Sequence, residues 1–450
     1  MTPVSDLLFD TLHTTATGIF TGALAACNIE SAFDRRIKFE GNVLRRQLPD
    51  GSGPEAIDLS AYRRIFVVAL GKAAEPMLEV LLRKMKRRKG VRGICCTNQQ
   101  SRTRNWRFRY FEAGHPLPNE ESFAAARTAL ALLRKARKDT LAIFLISGGG
   151  SALFDLPLDP AIGLEDTILF HQALLASGAP IGEINTVRKH LSRIKGGRLA
   201  RAGQRAEIVT LAISDVPHDD PSAIASGPTV PDPTTLADAR AIVAKYRLDV
   251  DDAIRRALDD ARNESCKPGD AAFARAGFEL IATPKASLDA AIKVAASAGY
   301  ATLDLGADLE GEARDVAAGH ARLALKARAE GKRVAILSGG ELTVTVRGQG
   351  RGGPNQEYAL ALAAILKDTP NISALAADTD GADGGAGSAS DPAGAIIDHL
   401  TFAKMKSLGL DPAAYLANND ATAFFAATGD LLLTGPTLTN VNDVRVILVD

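Results

Sequence analysis

The chain has 450 residues, of which 46% are hydrophobic and 24% charged, and its 53 Lys and Arg residues balance its 53 Asp and Glu residues. The length predicts two domains, and the balanced charge argues against a nucleic-acid or membrane-surface partner. Four cysteines without a CxxC spacing argue against a zinc site or a disulfide framework, and no apolar run reaches the length of a membrane span. Asp6 and Asp10 occupy an N-terminus without a basic region, so we expect no signal peptide and a cytoplasmic protein.

Short apolar runs alternate with Ala- and Leu-rich stretches from about residue 61, which predicts an α/β fold with a parallel sheet. The strands predicted for the first unit are Ile65–Leu70, Gly93–Cys96, Leu141–Ile146 and Glu207–Ile213. A segment rich in Pro, Asp and Thr follows Pro228 and predicts a linker, so we expect domains at residues 1–240 and 241–450. The strands predicted for the second α/β unit are Phe278–Ile281, Ala301–Leu305, Arg333–Leu337, Leu342–Val346, Ile372–Ala376 and Val444–Val449. The stretch 431–450 is also compatible with pairing back across the domain interface.

Glycine-rich loops follow two of these strands, an arrangement that points backbone N–H groups at an anion. The residues of these loops are Ser147, Gly148, Gly149, Gly150 and Ser151, and then Ser338, Gly339, Gly340 and Glu341. A nucleophile elbow needs a glycine where Leu153 stands, which disfavours a serine hydrolase. The first loop therefore indicates a phosphate site, and a plain strand-to-helix turn stays the alternative.

Charged side chains follow two other strands. Lys72 precedes a predicted helix, where its charge opposes the helix dipole, so a functional cation is favoured over a solvated lysine. Asp215 follows the strand 207–213 and suits Mg²⁺ or a base that activates a hydroxyl; Asp219 and Asp220 lie in the same loop, where simple solvation is the alternative.

An amphipathic helix is predicted from Gly182 to Leu199. One of its faces carries Asn185, Arg188, Ser192 and Lys195. The alternatives for this face are a solvated basic surface and an anion site. The three histidines near motifs, His115, His190 and His218, are expected on loops or on the helix surface.

Gly348, Gly350 and Gly353 satisfy the G-x-G-x-x-G dinucleotide fingerprint after a strand, which is the best argument for an NAD-dependent enzyme. Arg351 and the polar helix start that follows it suit a transferring phosphoryl group better. Further along, a loop from Asp378 to Gly385 fails the EF-hand pattern but stays plausible as a magnesium or substrate loop, with a Gly/Asp turn as the alternative.

Together these segments resemble the glycerate 2-kinases of the MOFRL family, in order from about Leu7 to the C-terminus. The segments that carry the resemblance are Leu70–Ala74, Ser147–Ser151, Asn185–Gly197, Ser214–Val216, Ala225–Thr229, Gly311–Arg314, Ser338–Glu341, Gly350–Glu357 and Asp378–Gly385. Pro354 departs from many relatives, which puts only the local loop geometry in question.

The resemblance implies ATP-dependent phosphorylation of D-glycerate to 2-phosphoglycerate with Mg²⁺, in a cleft between a Rossmann-like three-layer N-terminal domain and a smaller α/β domain that contains the MOFRL region, about residues 332–445. By motif, Lys72 and Arg351 are the implied catalytic residues, and Asp215 joins them as a candidate. The expected substrate or phosphate ligands are Ser147, Gly148, Gly149, Gly150, Ser151, Arg188, Lys195, Ser226, Gly227 and Thr229. The expected nucleotide ligands are Ser338, Gly339, Gly340, Glu341, Gly353, Asn355, Gln356, Glu357, Thr379 and Gly381, and the expected metal ligands are Asp378, Asp380 and Asp383.

Neither a P-loop nor the protein-kinase motifs occur, and phosphoryl transfer needs charge neutralisation rather than a covalent nucleophile. The main alternative is an NAD(P)H-dependent hydroxypyruvate reductase, and a third is a non-catalytic sensor of sugar acids or nucleotides. The expected partners are small molecules only, and the expected assembly is a monomer or a homodimer.

Overall fold

The computed structural model describes residues 4–47, 54–86, 88–99, 104–367, 369–384 and 390–450. Two compact units make up the chain: a central unit, Ala32–Ile281, and a terminal unit that joins Met1–Ser31 to Ala282–Asp450. This division differs from the predicted boundary between residues 240 and 241. The N-terminal helix packs in the core of the terminal unit, and the segment up to residue 281 stays with the central unit because it supplies an edge strand there.

The described residues form sixteen α-helices and seventeen strands. The helices are α1 (Val4–Cys27), α2 (Ile29–Arg36), α3 (Ala74–Lys84), α4 (Glu120–Leu133), α5 (Gly150–Leu153), α6 (Leu164–Ala176), α7 (Ile181–Leu191), α8 (Arg198–Gly203), α9 (Leu236–Lys245), α10 (Asp252–Asp259), α11 (Pro284–Ser297), α12 (Ala313–Ala329), α13 (Pro354–Leu366), α14 (His399–Ser407), α15 (Pro412–Ala417) and α16 (Ala421–Thr428). The strands are β1 (Ile37–Glu40), β2 (Val43–Gln47), β3 (Pro54–Asp58), β4 (Arg64–Leu70), β5 (Val91–Thr97), β6 (Phe108–Glu112), β7 (Thr140–Ile146), β8 (Glu207–Ile213), β9 (Ala276–Ala282), β10 (Ala301–Asp304), β11 (Gly311–Glu312), β12 (Val334–Ser338), β13 (Leu342–Thr343), β14 (Ile372–Asp378), β15 (Gly394–Ile397), β16 (Leu431–Leu432) and β17 (Asp443–Val449).

The central unit is built on a six-stranded sheet in the order β6-β5-β4-β7-β8-β9, in which β6 through β8 pair in parallel. Strands β4, β7 and β8 are nearly continuous apolar runs and are buried, as expected for strands covered on both faces. Leu70 pairs with Ile146, and Ile146 with Ala212, so the three strands end at the same edge. The loops that follow them therefore meet there. The predicted strand 278–281 corresponds to β9 and belongs to this sheet, not to the second unit.

Helices cover this sheet with small and branched side chains. Helix α4 begins at Glu120 because Asn119 and Ser122 form a reciprocal capping box, and its buried Ala125 and Ala129 join the sheet core. Helices α6, α7, α9 and α10 form a separate apolar cluster. A three-stranded antiparallel sheet, β1-β2-β3, completes the unit.

The terminal unit has a mixed sheet in the order β10-β12-β17-β14-β15-β16, in which β10 and β12 are parallel and the remaining pairs antiparallel. Strand β17 lies between β12 and β14, so pairing of residues 431–450 across the domain interface is wrong. Because successive side chains of a strand alternate, Val446 packs with α1 and α11, whereas Ile447 packs with α12 and α13. The predicted strand 342–346 is shorter than expected and ends at Thr343. The α/β prediction for both units is confirmed.

Candidate active site

Three loops meet at the carboxyl edge of the central sheet, and Ser147 joins two of them. Its buried hydroxyl accepts a hydrogen bond from the backbone N–H of Ala73 at 3.0 Å, and the N–H of Lys72 donates to the carbonyl of Gly148 at 2.9 Å. Gly71 has a φ of +115°, and a Cβ there would lie 2.8 Å from the carbonyl carbon of Ser147, so only glycine fits. These contacts fix the backbone of Lys72 against the glycine loop.

Asp215 lies directly beside this loop, because a Cβ on Gly148 would come within 2.7 Å of its Cγ. Burial raises the pKa of Asp215 to about 6, and the nearby ammonium of Lys72 opposes that shift. At neutral pH the carboxylate is therefore ionised yet more basic than a free Asp. The other two carboxylates of its loop differ: Asp220 accepts hydrogen bonds from the N–H and hydroxyl of Ser222 and so shapes a local turn, and Asp219 has a positive φ.

The glycine loop presents a run of backbone donors. Among the residues that the structure describes, the N–H groups of Gly148, Gly149, Gly150 and Ser151 donate no hydrogen bond to the protein. Gly149 has a φ of +77°, and a Cβ there would lie 3.2 Å from the Cγ of Lys72. Consecutive backbone donors beside a lysine form a concave surface suited to an anion.

Ser151 continues the site toward helix α7. Its Oγ lies 2.7 Å from Ser226 Oγ, and the Ser226 hydroxyl also donates to Asn185 Oδ1 at 3.4 Å. Ala225 and Ser226 both have positive φ, at 49° and 61°, a strained backbone that proteins keep mainly at functional sites. No local motif around Ala225 and Ser226 predicts this strain.

Two predicted ligands near Ser226, Gly227 and Thr229, make contacts within the protein. A Cβ on Gly227 would lie 3.0 Å from the Cα of Ser222, so the glycine permits close backbone packing. The hydroxyl of Thr229 is buried and accepts a hydrogen bond from Thr210 at 2.9 Å. The structure favours a supporting role for both residues.

The predicted helix 182–199 ends earlier, at Leu191, because Ser192 adopts extended backbone angles. Its polar face is not solvated: Asn185, Arg188, Ser192 and Lys195 are all buried, so that alternative is wrong. Lys195 Nζ forms an ion pair with Asp155 Oδ2 at 2.5 Å, and Ser192 donates to Asp155 Oδ1 at 2.6 Å. Lys195 therefore has an internal partner rather than a free phosphate-binding ammonium.

The three histidines near motifs differ in their placement and burial. His115 lies in a loop, and His218 lies in a short 3₁₀ turn within the loop that follows β8. His190 is fully buried, its Nε2 3.0 Å from Glu264 Oε1 and its Nδ1 2.8 Å from the carbonyl of Thr186, so its placement on a helix surface is wrong.

In the terminal unit, the loop from residue 347 to 351 does not offer its backbone N–H groups to a ligand. The N–H groups of residues 347–351 all donate to acceptors on Asn418, Asn419 and Asp420. A dinucleotide fingerprint needs those donors for the pyrophosphate. The loop instead presents the exposed side chain of Arg351, which forms no ion pair or hydrogen bond with the residues described in the structure.

The polar start of helix α13 is buried and has protein partners. Asp383 accepts hydrogen bonds from the backbone N–H of Asn355 and Gln356 at 2.9 and 2.8 Å, and Gly353 packs against its backbone. Glu357 forms an ion pair with Arg314 at 2.6 Å. The structure therefore favours a supporting role for Asn355, Gln356 and Glu357 over direct contact with nucleotide.

A buried arginine that sequence reasoning missed supports the second glycine loop. Arg445 donates to the carbonyls of Gly339 and Gly340 at 2.6 and 3.2 Å and forms an ion pair with Asp443. Ser338 is buried and Glu341 is exposed at the end of the loop. The available signal was a charged pair inside an apolar run, Asp443 to Val449, which is unusual for a central strand.

The predicted three-carboxylate metal set is corrected. Among the described residues, no group of three His, Cys, Asp or Glu side chains has metal-ligating geometry. Asp383 instead caps α13, while Asp378 Oδ1 accepts from the N–H of Asp380 at 2.8 Å. Burial, Asp380 and Asp443 raise the pKa of Asp378 well above its usual range, which indicates an excess of negative charge.

Two predicted nucleotide ligands in this loop, Thr379 and Gly381, also have contacts within the protein. Thr379 donates to the carbonyl of Asn442 at 2.7 Å, and Gly381, with a φ of +94°, packs on Gly435. Gly385, the last glycine of the motif, lies outside the described residues.

Residues 15–259 match a domain of unknown function (DUF4147), and residues 334–443 match the MOFRL family. The chain is 48% identical to a putative hydroxypyruvate reductase of Agrobacterium vitis, over 79% of this chain and 81% of that protein. It is 38% identical to D-glycerate 2-kinase of Thermotoga maritima, over 89% of this chain and 94% of the kinase. The crystal structure of glycerate kinase from Thermotoga maritima has a TM-score of 0.84 and 34% identity, covering 98% of this chain and all of that one. No described helix is long and apolar enough to cross a membrane.

Proposed function

Because the chain belongs to the MOFRL family of glycerate kinases, we propose that it transfers the γ-phosphoryl group of ATP to the 2-hydroxyl of D-glycerate. The products are 2-phosphoglycerate and ADP. The observation that carries the proposal is that Lys72 and Asp215 both lie beside the glycine loop, whose N–H groups from Gly148 to Ser151 have no acceptor among the described residues.

Each of these groups has a distinct task in phosphoryl transfer. Asp215 accepts the proton of the substrate hydroxyl as that oxygen attacks phosphorus, and its pKa of about 6 makes it a better base than an exposed Asp. The ammonium of Lys72 and the N–H groups of Gly148 to Ser151 stabilise charge on the transferring group. Arg351 is proposed as a second catalytic cation because its motif matches the family.

Mg²⁺, when bound, neutralises phosphate charge. Asp378 and Asp380 fit such an ion, because Mg²⁺ is usually held by one or two carboxylates together with substrate phosphates. The raised pKa of Asp378 supports this, since a cation relieves the repulsion among the neighbouring carboxylates.

The competing activity is NAD(P)H-dependent reduction of hydroxypyruvate, which the name of the Agrobacterium relative carries. Hydride transfer needs a bound dinucleotide, and the loop with the matching fingerprint donates its N–H groups to residues 418–420. The geometry therefore supports the kinase better.

Two assays on one preparation separate the candidates. With D-glycerate, ATP and Mg²⁺ we expect ADP release that is lost in Lys72→Ala, and with hydroxypyruvate and NADH or NADPH we expect no oxidation above the enzyme-free rate. Reduction at an enzymic rate without ADP release would overturn the proposal.

A further inference from the structure

A small cavity in the central unit is lined by a buried arginine, Arg188, whose Nε has no hydrogen-bond partner among the described residues. The cavity has a volume of about 20 Å³, and Phe170, Leu191 and Ile254 supply apolar walls. Arg188 lines it and is only 6% exposed. One buried water needs roughly 10–15 Å³, so the space admits a small group and excludes a nucleotide.

The charges around this cavity do not balance. Asp155, the carboxylate that lines it, already pairs with Lys195 at 2.5 Å and accepts from Ser192. Burial and the charge of Arg188 lower the pKa of His171 to about 3, so this side chain is neutral. Two cations therefore face one carboxylate, and a positive charge is left in a region shielded from water.

Two nitrogen atoms at the cavity also lack a hydrogen-bond partner among the described residues. Arg188 Nε and His171 Nδ1 are both buried without a hydrogen-bond partner among the described residues. Native proteins leave few such atoms, and a bound ion or water is the usual explanation. By contrast, Arg198, another buried arginine, donates to the carbonyls of Lys189, Lys195 and Asn263.

We propose that the Arg188 cavity binds a small monoanion, either chloride or a carboxylate group. The guanidinium supplies the charge and a planar set of donors that matches a carboxylate. This anion has two candidate sources. Asn185 lies one helical turn before Arg188 on α7 and contacts Ser226, so the carboxylate of the acid substrate is one source, and a free ion from solution is the other.

Binding is tested first, without reliance on the proposed kinase activity. Thermal unfolding and isothermal titration are measured with sodium formate and sodium chloride, at constant ionic strength set with sodium sulfate. We expect formate or chloride at about ten times its Kd to raise the Tm of the wild type by roughly 2–4 °C, and to leave the Tm of Arg188→Met unchanged. Arg198→Lys, a matched variant of a buried arginine that donates to three carbonyls, retains the shift.

The stability of Arg188→Met without anion gives a second readout. Methionine removes an uncompensated buried charge at similar volume, so we expect this variant to be at least as stable as the wild type in anion-free buffer. If Arg188→Met does not fold, Arg188→Lys replaces it, with weaker binding of formate in the titration. Equal anion responses in the wild type and the Arg188 variant, or no response in either, would overturn the proposal.

A kinetic experiment then identifies the source, and this step alone rests on the proposed function. If the substrate supplies the carboxylate, formate competes with D-glycerate and Arg188→Met raises the KM for glycerate at least tenfold, with the KM for ATP unchanged. If the anion is free, formate or chloride changes Tm without competing with glycerate. Both results support the site, and an absence of glycerate phosphorylation in the wild type overturns the function while the binding result still stands.

Discussion

Gly148→Ala is the sharpest test of how the glycine loop and Asp215 cooperate. The added methyl group would lie 1.9 Å from Asp215 Oδ2, whereas ordinary van der Waals contact begins at 3.4 Å, so that oxygen must move by about 1.5 Å. A displacement near 1 Å at a reacting group costs on the order of 10²-fold in rate. We therefore expect kcat for glycerate phosphorylation to fall roughly 10- to 100-fold, measured by ADP release at saturating substrates.

The fold is expected to survive this change, because Gly148 is not at a positive φ and alanine reduces the freedom of the unfolded chain. Gly182→Ala is the matched control: it lies in α7, nothing is within 4 Å of its Cβ position, and kcat is expected to stay normal. The double variant Gly148→Ala/Asp215→Asn is expected to lose little beyond Asp215→Asn alone, since both act through one carboxylate. A normal kcat in Gly148→Ala, or fully additive losses, would refute the assignment of Asp215.

Three further outcomes follow from the same contacts. Because only ionised Asp215 accepts a proton, kcat/KM is expected to fall about tenfold per pH unit below its pKa of about 6, and Asp215→Asn removes this dependence along with most of the activity. Lys72→Ala and Arg351→Ala are each expected to lower kcat by about 10²-fold in a folded protein, as judged by circular dichroism. Arg314→Met leaves the buried carboxylate of Glu357 without its ion pair and is expected to lower the free energy of unfolding by about 1–3 kcal/mol in urea denaturation.

An exposed ion pair serves as the control for Arg314→Met. Lys285 and Asp289 form a solvated i,i+4 pair on α11, and Lys285→Met is expected to change the free energy of unfolding by less than about 0.5 kcal/mol. If Arg314→Met and Lys285→Met lowered the free energy of unfolding equally, burial of Glu357 would not strengthen its ion pair.

The parts of the site that sequence reasoning could predict are those encoded by neighbouring residues. Apolar runs followed at once by Gly71-Lys72, Ser147–Ser151 and Ser214-Asp215 indicate parallel strands with loops at one edge, and the register of β4, β7 and β8 places all three loops there. These strands and loops are encoded by neighbouring residues, so hydrophobic periodicity and local composition are enough to predict them.

The parts that were missed depend on residues far apart in the chain. Nothing near the fingerprint Gly348 to Gly353 shows that Asn418 to Asp420 accept its N–H groups, about 70 residues later. Likewise, the early end of α7 at Leu191 follows from Asp155, which holds Ser192 and Lys195 from another loop. Helix periodicity over residues 182–199 carries no sign of that tertiary contact.

The central claim is tested most directly by identifying the product. Wild type and Lys72→Ala are incubated with D-glycerate, ATP and Mg²⁺, and the phosphorus NMR spectrum of each mixture is followed over time. We expect 2-phosphoglycerate and ADP to appear in equal amounts with the wild type and far more slowly with Lys72→Ala. Formation of 3-phosphoglycerate, ADP without any phosphoglycerate, or equal rates for both proteins would contradict it.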